Sequence, residues 1–294
     1  MLDYTKLYVR TDVYLLAEAV CDMRETVFKE FDLELAVYWS LPMLAKDIML
    51  KMTDANIELL HDPEMVHMLQ SNIRGGLSFI NTRYFDTEER ENHEEKKLRA
   101  STITYLDANN LYGKAMSCAL PLRSYRWMTS EEIASFDPLT DVHGEEGQGY
   151  ILEVTLRYPE RLHRSHNSFP LAPEAVEITD KDLSPYSTKC LHELTNKKTY
   201  KAKKLTATFR DRVEYVCHGM NLKFYLEQGL ELVKIHRGIT FHQSKFIKPY
   251  IDHFTKKRAQ AKTKAASRIF KLLCNSLYGK VCDFIKFNYF VIDI

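Results

Sequence analysis

Two short segments carry side chains whose types and spacing suit phosphate chemistry. In the first, Asp107-Ala108-Asn109-Asn110-Leu111-Tyr112-Gly113 follows the apolar Ile103-Thr104-Tyr105-Leu106. A carboxylate thus ends what reads as a strand over Thr102 to Leu106, and an aromatic ring comes five residues later. In the second, Lys271-Leu272-Leu273-Cys274-Asn275-Ser276-Leu277-Tyr278-Gly279-Lys280 holds an ammonium, an amide and another ring. Spacings of four and seven put Lys271, Asn275 and Tyr278 on one face of a helix. A carboxylate can hold a hard divalent cation, a lysine can meet a triphosphate without fixed bidentate geometry, and a ring can shape a sugar pocket. Each feature also has a plainer reading. Asp-Ala-Asn-Asn is a turn or N-cap sequence, Tyr112 could be a core aromatic, and Lys271 could be an exposed lysine on an amphipathic helix with Leu272, Leu273 and Tyr278 as its core face.

Hydropathy period and breaker residues outline the elements around these segments. Residues 11 to 31 read as an amphipathic helix through Val13, Leu16, Ala17, Val20, Met23, Val27 and Phe28. Leu41-Pro42 and Asp62-Pro63 start further helices, through Met52 and Gln70. Leu77 to Tyr84 alternates as a strand, and Asp86 to Arg99 is a charge run expected as a solvated loop. Residues 137–149 read as a loop and Tyr150 to Leu156 as a strand. Four prolines within 159–190 argue against long helices there. Arg210 to Gln228 is expected as a helix ended by Gly229, and Leu230 to Phe241 as a strand pair around Arg237-Gly238. Lys245 to Tyr278 reads as one or two basic helices with Pro249 in a first turn.

With 294 residues, 45% of them apolar, the chain can fold as one large core or two domains. No apolar run approaches the roughly 18 residues of a membrane span. The N-terminus lacks the apolar core of a secretory signal, and six cysteines form no CxxC, which reads as reduced thiols in an intracellular protein of the nucleus or the cytoplasm. Cys190, His192, Cys217 and His218 do not have the spacing of a common zinc site. The net charge of +1 hides an asymmetry: residues 196–280 hold 20 Lys+Arg against 5 Asp+Glu, and the first 195 hold 20 against 33. Interleaved with aromatics, the basic stretch reads as a nucleic-acid surface. The alternative is a set of helix faces paired with the acidic half of the same chain.

The two segments resemble motifs of the family B DNA polymerases. The first is similar to motif A, aspartate-x-x-serine-leucine-tyrosine. Its wording, with the trailing Ala115-Met116-Ser117-x-x-Leu120-Pro121, resembles the protein-primed branch of viruses, linear plasmids and self-synthesising transposons. The second matches motif B, lysine-x3-asparagine-serine-x-tyrosine-glycine. Tyr8-x3-Asp12 resembles the third exonuclease motif. Arg74-Gly75-Gly76 resembles the glycine pair joining exonuclease and polymerase parts, with Ile73 where the family often has tyrosine.

That resemblance implies an α+β fold, a partial polymerase with a remnant of the exonuclease domain, an antiparallel palm sheet, an insertion and helical fingers. The implied units are 1–70 (exonuclease remnant), 71–121 (palm with motif A), 122–244 (insertion of the terminal-protein region and palm connections), 245–285 (fingers with motif B) and 286–294 (palm stub). It implies Asp107 and the Ala108 carbonyl as ligands of Mg²⁺ or Mn²⁺, and Tyr112 as a steric gate under the sugar. Lys271 would meet the triphosphate of an incoming dNTP, with Arg258 as a second phosphate contact, and Asn275 and Tyr278 would flank the nascent pair. Gly75, Gly76, Lys262, Lys264 and Arg268 would contact a DNA template-primer. Tyr8 and Asp12 would belong to the exonuclease, Asp12 as a metal ligand. A terminal protein is a further implied partner, and a membrane is not. The family's upstream aspartate-x-glutamate and downstream tyrosine-x-aspartate-threonine-aspartate motifs are not among these residues. The expectation is therefore a polymerase fragment, inactive alone; the alternative is a catalytically dead relic that binds DNA or a terminal protein.

Overall fold

A computed structural model describes residues 1–80, 82, 84–85, 102–195 and 199–281. Its helices are α1 (Leu2–Phe31), α2 (Leu41–Thr53), α3 (Pro63–Ser71), α4 (Leu111–Met116), α5 (Ser130–Ser135), α6 (Pro138–Asp141), α7 (Glu160–His163), α8 (Pro185–Thr195), α9 (Gly219–Glu227), α10 (Lys248–Gln260) and α11 (Lys264–Val281). Its strands are β1 (Leu120–Trp127), β2 (Gly147–Arg157), β3 (Glu174–Thr179), β4 (Lys201–Thr206), β5 (Arg212–His218) and β6 (Glu231–Ser244). The architecture is α+β. A four-stranded antiparallel sheet runs β1-β6-β2-β5, and β3 and β4 form a separate antiparallel pair.

Period-2 apolar positions give the central sheet two packed faces. Leu152, Val154, Leu156, Tyr215 and Cys217 form one face with Leu222 of α9 and Met128. Val216, Ile239 and Phe241 form the other with Met65 and Met68 of α3. The Asp62 side chain caps α3, accepting from the backbone N–H groups of Glu64 and Met65, and also accepts from Trp127 Nε1 at 2.7 Å. One carboxylate therefore starts the helix and ties it to β1. Buried Arg212 holds the base of the β3–β4 pair: Nε donates to the Ala172 carbonyl at 2.7 Å, and Nη1 lies 3.1 Å from Glu174 Oε1.

A third core joins distant parts of the chain. Val27 and Phe31 of α1, Leu44, Ile48 and Met49 of α2, Met116 of α4, Tyr250 and Phe254 of α10, and Leu273, Cys274 and Leu277 of α11 pack together. The Tyr250 hydroxyl donates to the Leu273 carbonyl at 2.9 Å inside it. Two basic helices form where expected, and Pro249 lies in the first turn of α10.

Several sequence expectations are corrected. The first helix begins at Leu2 rather than residue 11. Arg210 to Gln228 is not one helix: β5 precedes α9, because Tyr215 and Cys217 alternate with residues of the opposite face and pair with β2. Gly229 does end α9, at φ +97. Leu230 to Phe241 is no strand pair, since β6 runs unbroken for 14 residues. Gly238 permits close approach instead of a turn, for a Cβ there would lie 2.5 Å from Met128 Sδ and 2.8 Å from Leu152 Cδ2. Residues 137–149 include α6 and the start of β2, and β1, β3 and β4 are additional strands. An 11-residue helix, α8, forms after Pro185 despite the prolines. The described parts of Leu77 to Tyr84 form no strand. Thr102 to Leu106 forms none either: Ile103, Tyr105 and Leu106 are 74%, 92% and 85% exposed, and no described strand pairs with them. A strand needs a neighbour for its N–H and C=O groups, and apolar alternation does not supply one. The charge run Asp86 to Arg99 and the stub 286–294 lie outside the described residues.

Candidate nucleotide and nucleic-acid site

The chain reverses at Asn109-Asn110 and enters α4, a single turn and a half that docks on α11. Asn110 is the N-cap, in the left-handed region at φ 55, ψ 47, and its Oδ1 accepts from the Gly113 N–H at 3.2 Å. Asparagine tolerates that conformation better than most residues. The cap of this helix is therefore Asn110, and not Asp107 as the plainer reading had it. Met116 anchors α4 in the core beside Leu273, Cys274 and Leu277 of α11.

That docking brings two expected site residues together. The rings of Tyr112 and Tyr278 lie 4.1 Å apart between centroids, tilted by 34°. Both rings are about half exposed, so the pair lies at the surface of the α4–α11 contact. Lys271 and Asn275 are exposed on the same helix as Tyr278. Leu273 and Leu277 take the buried face instead, and Leu272 is exposed. Arg258 is exposed near the end of α10, and its charge acts on the Cys274 thiol. Burial nonetheless pushes that thiol up to about 11. Lys262, Lys264 and Arg268 are exposed around the α10–α11 turn. None of these five cations forms a salt bridge with a described residue, whereas Lys201, Arg212, Arg237, Lys245 and Lys257 pair with Glu177, Glu174, Glu153, Glu145 and Glu30. The basic stretch thus divides between internal pairing and a group of cations on and between α10 and α11 that have no acidic partner among the described residues.

The remaining expected residues lie at exposed positions. Asp107 and Ala108 are exposed in an irregular segment instead of standing at a strand end. Tyr8 and Asp12 are exposed on α1. Gly75 and Gly76 are exposed, and a Cβ on either would meet nothing within 4 Å. Among the described residues, no three His, Cys, Asp or Glu side chains group as a metal site. Two residues without an assigned role also shape the region. Asn110 is one; its signal was Asn-x-x-Gly at a helix start. Arg74 is the other, with Nη1 donating to the Val216 carbonyl at 2.8 Å and its guanidinium 4.0 Å from the Tyr215 ring centroid. It fastens the chain to β5 directly before Gly75. Its only signal was its place beside the glycine pair.

The central sheet thus packs against helices on both faces, and Tyr112 of the first segment meets Tyr278 of the second. The chain belongs to the family "DNA polymerase type B, organellar and viral", whose model matches residues 1–282. Solved structures of phage Phi29 DNA polymerase have a similar fold. The orthorhombic crystal form is 16% identical with a TM-score of 0.52, covering 92% of this chain and 40% of that one. The post-translocation complex with primer-template DNA is 17% identical with a TM-score of 0.50, covering 94% and 40%. The chain therefore spans about 40% of the phage enzyme's length. No curated protein sequence matches. Among the described residues, no helix is long and apolar enough to cross a membrane.

Proposed function

We propose that the chain forms the nucleotide-binding part of a protein-primed DNA polymerase, of the kind carried by viruses, linear plasmids and transposons. The observation that carries this reading is the Tyr112–Tyr278 ring contact, which joins the two polymerase motifs across α4 and α11. Tyr112 would lie under the sugar of an incoming dNTP, and Tyr278 and Asn275 would flank the nascent pair. Lys271 would meet the triphosphate, with Arg258 as a second cation. Lys262, Lys264, Arg268 and the Gly75-Gly76 backbone would track a template-primer, as the primer-template DNA bound to the phage enzyme suggests. A terminal protein would supply the priming hydroxyl. In sequence, residues 1–70 would be the exonuclease remnant with Tyr8 and Asp12, 71–121 the palm, 122–244 the insertion and 245–285 the fingers.

The donor set near motif A suits one Mg²⁺ or Mn²⁺. Asp107 and the Ala108 carbonyl offer hard oxygens, and triphosphate oxygens and water would complete the shell. Such an ion would offset charge on the phosphate oxygens during transfer. The protein's own part is to hold the triphosphate with Lys271 and to bracket sugar and base with the two rings.

The test is titration of a fluorescent dNTP onto the chain with primer-template DNA and Mg²⁺. Lys271→Ala should weaken binding about tenfold or more, the scale of one lost charge-assisted hydrogen bond. Lys234→Ala, exposed on β6, should leave it unchanged. Equal affinity in wild type and Lys271→Ala would sink the assignment.

A further inference from the structure

We infer that Asn110 and Gly113 form a backbone lock that aims the Tyr112 ring and so sets sugar discrimination; this rests on the nucleotide-site reading above. Tyr112 is 53% exposed and its neighbour Leu111 is 62% exposed, so burial in the core does not fix these two side chains. The Tyr278 ring meets the Tyr112 ring across the α4–α11 contact. The direction in which Tyr112 leaves the chain is therefore set by the backbone on either side of it. On one side Asn110 sits at φ 55 and ψ 47, a conformation that costs most L residues free energy. Its Oδ1 takes the Gly113 N–H, and its own carbonyl takes the Lys114 N–H at 3.0 Å.

On the other side, Gly113 is buried, and a Cβ there would lie 2.6 Å from Asn110 Cγ and 2.7 Å from Asn110 Oδ1. Real Cβ atoms do not come that close to other heavy atoms, so the amide can fold over position 113 only because it is glycine. Side chain and glycine are thus two halves of one device, with Tyr112 between them. The Gly113 carbonyl also accepts from the Ser117 hydroxyl at 2.8 Å, which ties the lock to the end of α4. The role is positioning: neither residue need touch the nucleotide.

The experiment compares binding of a fluorescent dATP and the matching ATP analogue to the chain with primer-template DNA and Mg²⁺. The readout is the ratio of the two affinities. Wild type should favour the deoxy sugar, and Tyr112→Ala should abolish that preference. Asn110→Ala loses both the acceptor and the left-handed tolerance, and should lower the ratio about fivefold, the scale of a lost N-cap. Asn110→Asp keeps both and should hold the ratio within about twofold; its added charge cancels because the two ligands share one triphosphate. Should Asn110→Ala fail to fold, Asn110→Gly, which keeps the conformation and loses the acceptor, should lower the ratio in its place. An unchanged ratio in the folded Asn110 variant, with a lowered one in Tyr112→Ala, overturns the lock and leaves the site standing. No nucleotide binding, or no deoxy preference, in wild type overturns the site reading and the lock with it.

Discussion

The helix that carries Lys271 and the segment that carries Asp107 are equally conspicuous in the sequence and unequal in the structure. α11 satisfies its own backbone hydrogen bonds and buries Leu273, Cys274 and Leu277 in a core drawn from α1, α2, α4 and α10. Residues 102–108 are exposed and irregular, although Ile103, Tyr105 and Leu106 are apolar. The difference is one of self-sufficiency. A helix needs a partner only for its apolar face, whereas a strand needs one for every second backbone group as well. Half of the candidate site is therefore held by packing, and the other half is joined to it through the α4 turn.

The largest expected effect tests that contrast directly. Leu277→Ala, at a fully buried position, should cost about 2–5 kcal/mol in urea denaturation, and Ile103→Ala should change stability by less than about 0.5 kcal/mol. A cost above about 1 kcal/mol for Ile103→Ala would mean that the segment is packed in solution. Next in size are two glycines of opposite character. Gly238→Ala should destabilise by about 1–3 kcal/mol, because its Cβ meets Met128 and Leu152 in the sheet core, whereas Gly75→Ala introduces no clash. Equal stabilities for the two variants would show that Met128 yields.

The smallest effect is in the alkaline limb of stability. Burial raises the Cys274 thiol from 9.0 to about 11. Below about 9 the thiol is protonated whether the chain is folded or unfolded, and its contribution is fully present. Between about 9 and 11 the unfolded chain has released the proton and the folded one has not, so stability falls as pH rises. Cys274→Ala should flatten that part of a denaturation-midpoint profile, and Cys118→Ala, at an exposed thiol, should not. Identical profiles would place Cys274 outside the packed α11 interface.

The helices around the candidate site were more legible than the strands, for reasons that particular residues make plain. Lys271, Asn275 and Tyr278 share a helix because their spacing is a local property, and α10 and α11 follow from Pro249 and a long basic helical pattern. Arg212 to His218 was misread because a run of valines and aromatics satisfies helix and strand patterns alike. Gly238 was misread as a turn because a glycine needed for close packing and one needed for a bend look identical in one dimension. The plainer reading of the basic stretch, helix faces paired with the acidic half, fits Lys257, which pairs with Glu30 more than 220 residues away, and Arg237 pairs likewise with Glu153, more than 80 away, though from a strand. No local pattern announces such partners.

The sequence by itself determined the family through the wording of two motifs, and it determined the helices with clear starts, such as Asp62-Pro63 and Lys248-Pro249. Tertiary structure alone decided that Tyr112 meets Tyr278, that residues 27–57 share a core with 247–277, and that Thr102 to Leu106 pairs with no described strand. Hydrogen bonds within a helix span four residues and can be read from neighbours in the chain. Ring contacts, ladders and cores join residues from tens to more than a hundred positions apart, and only the folded backbone fixes which of them meet.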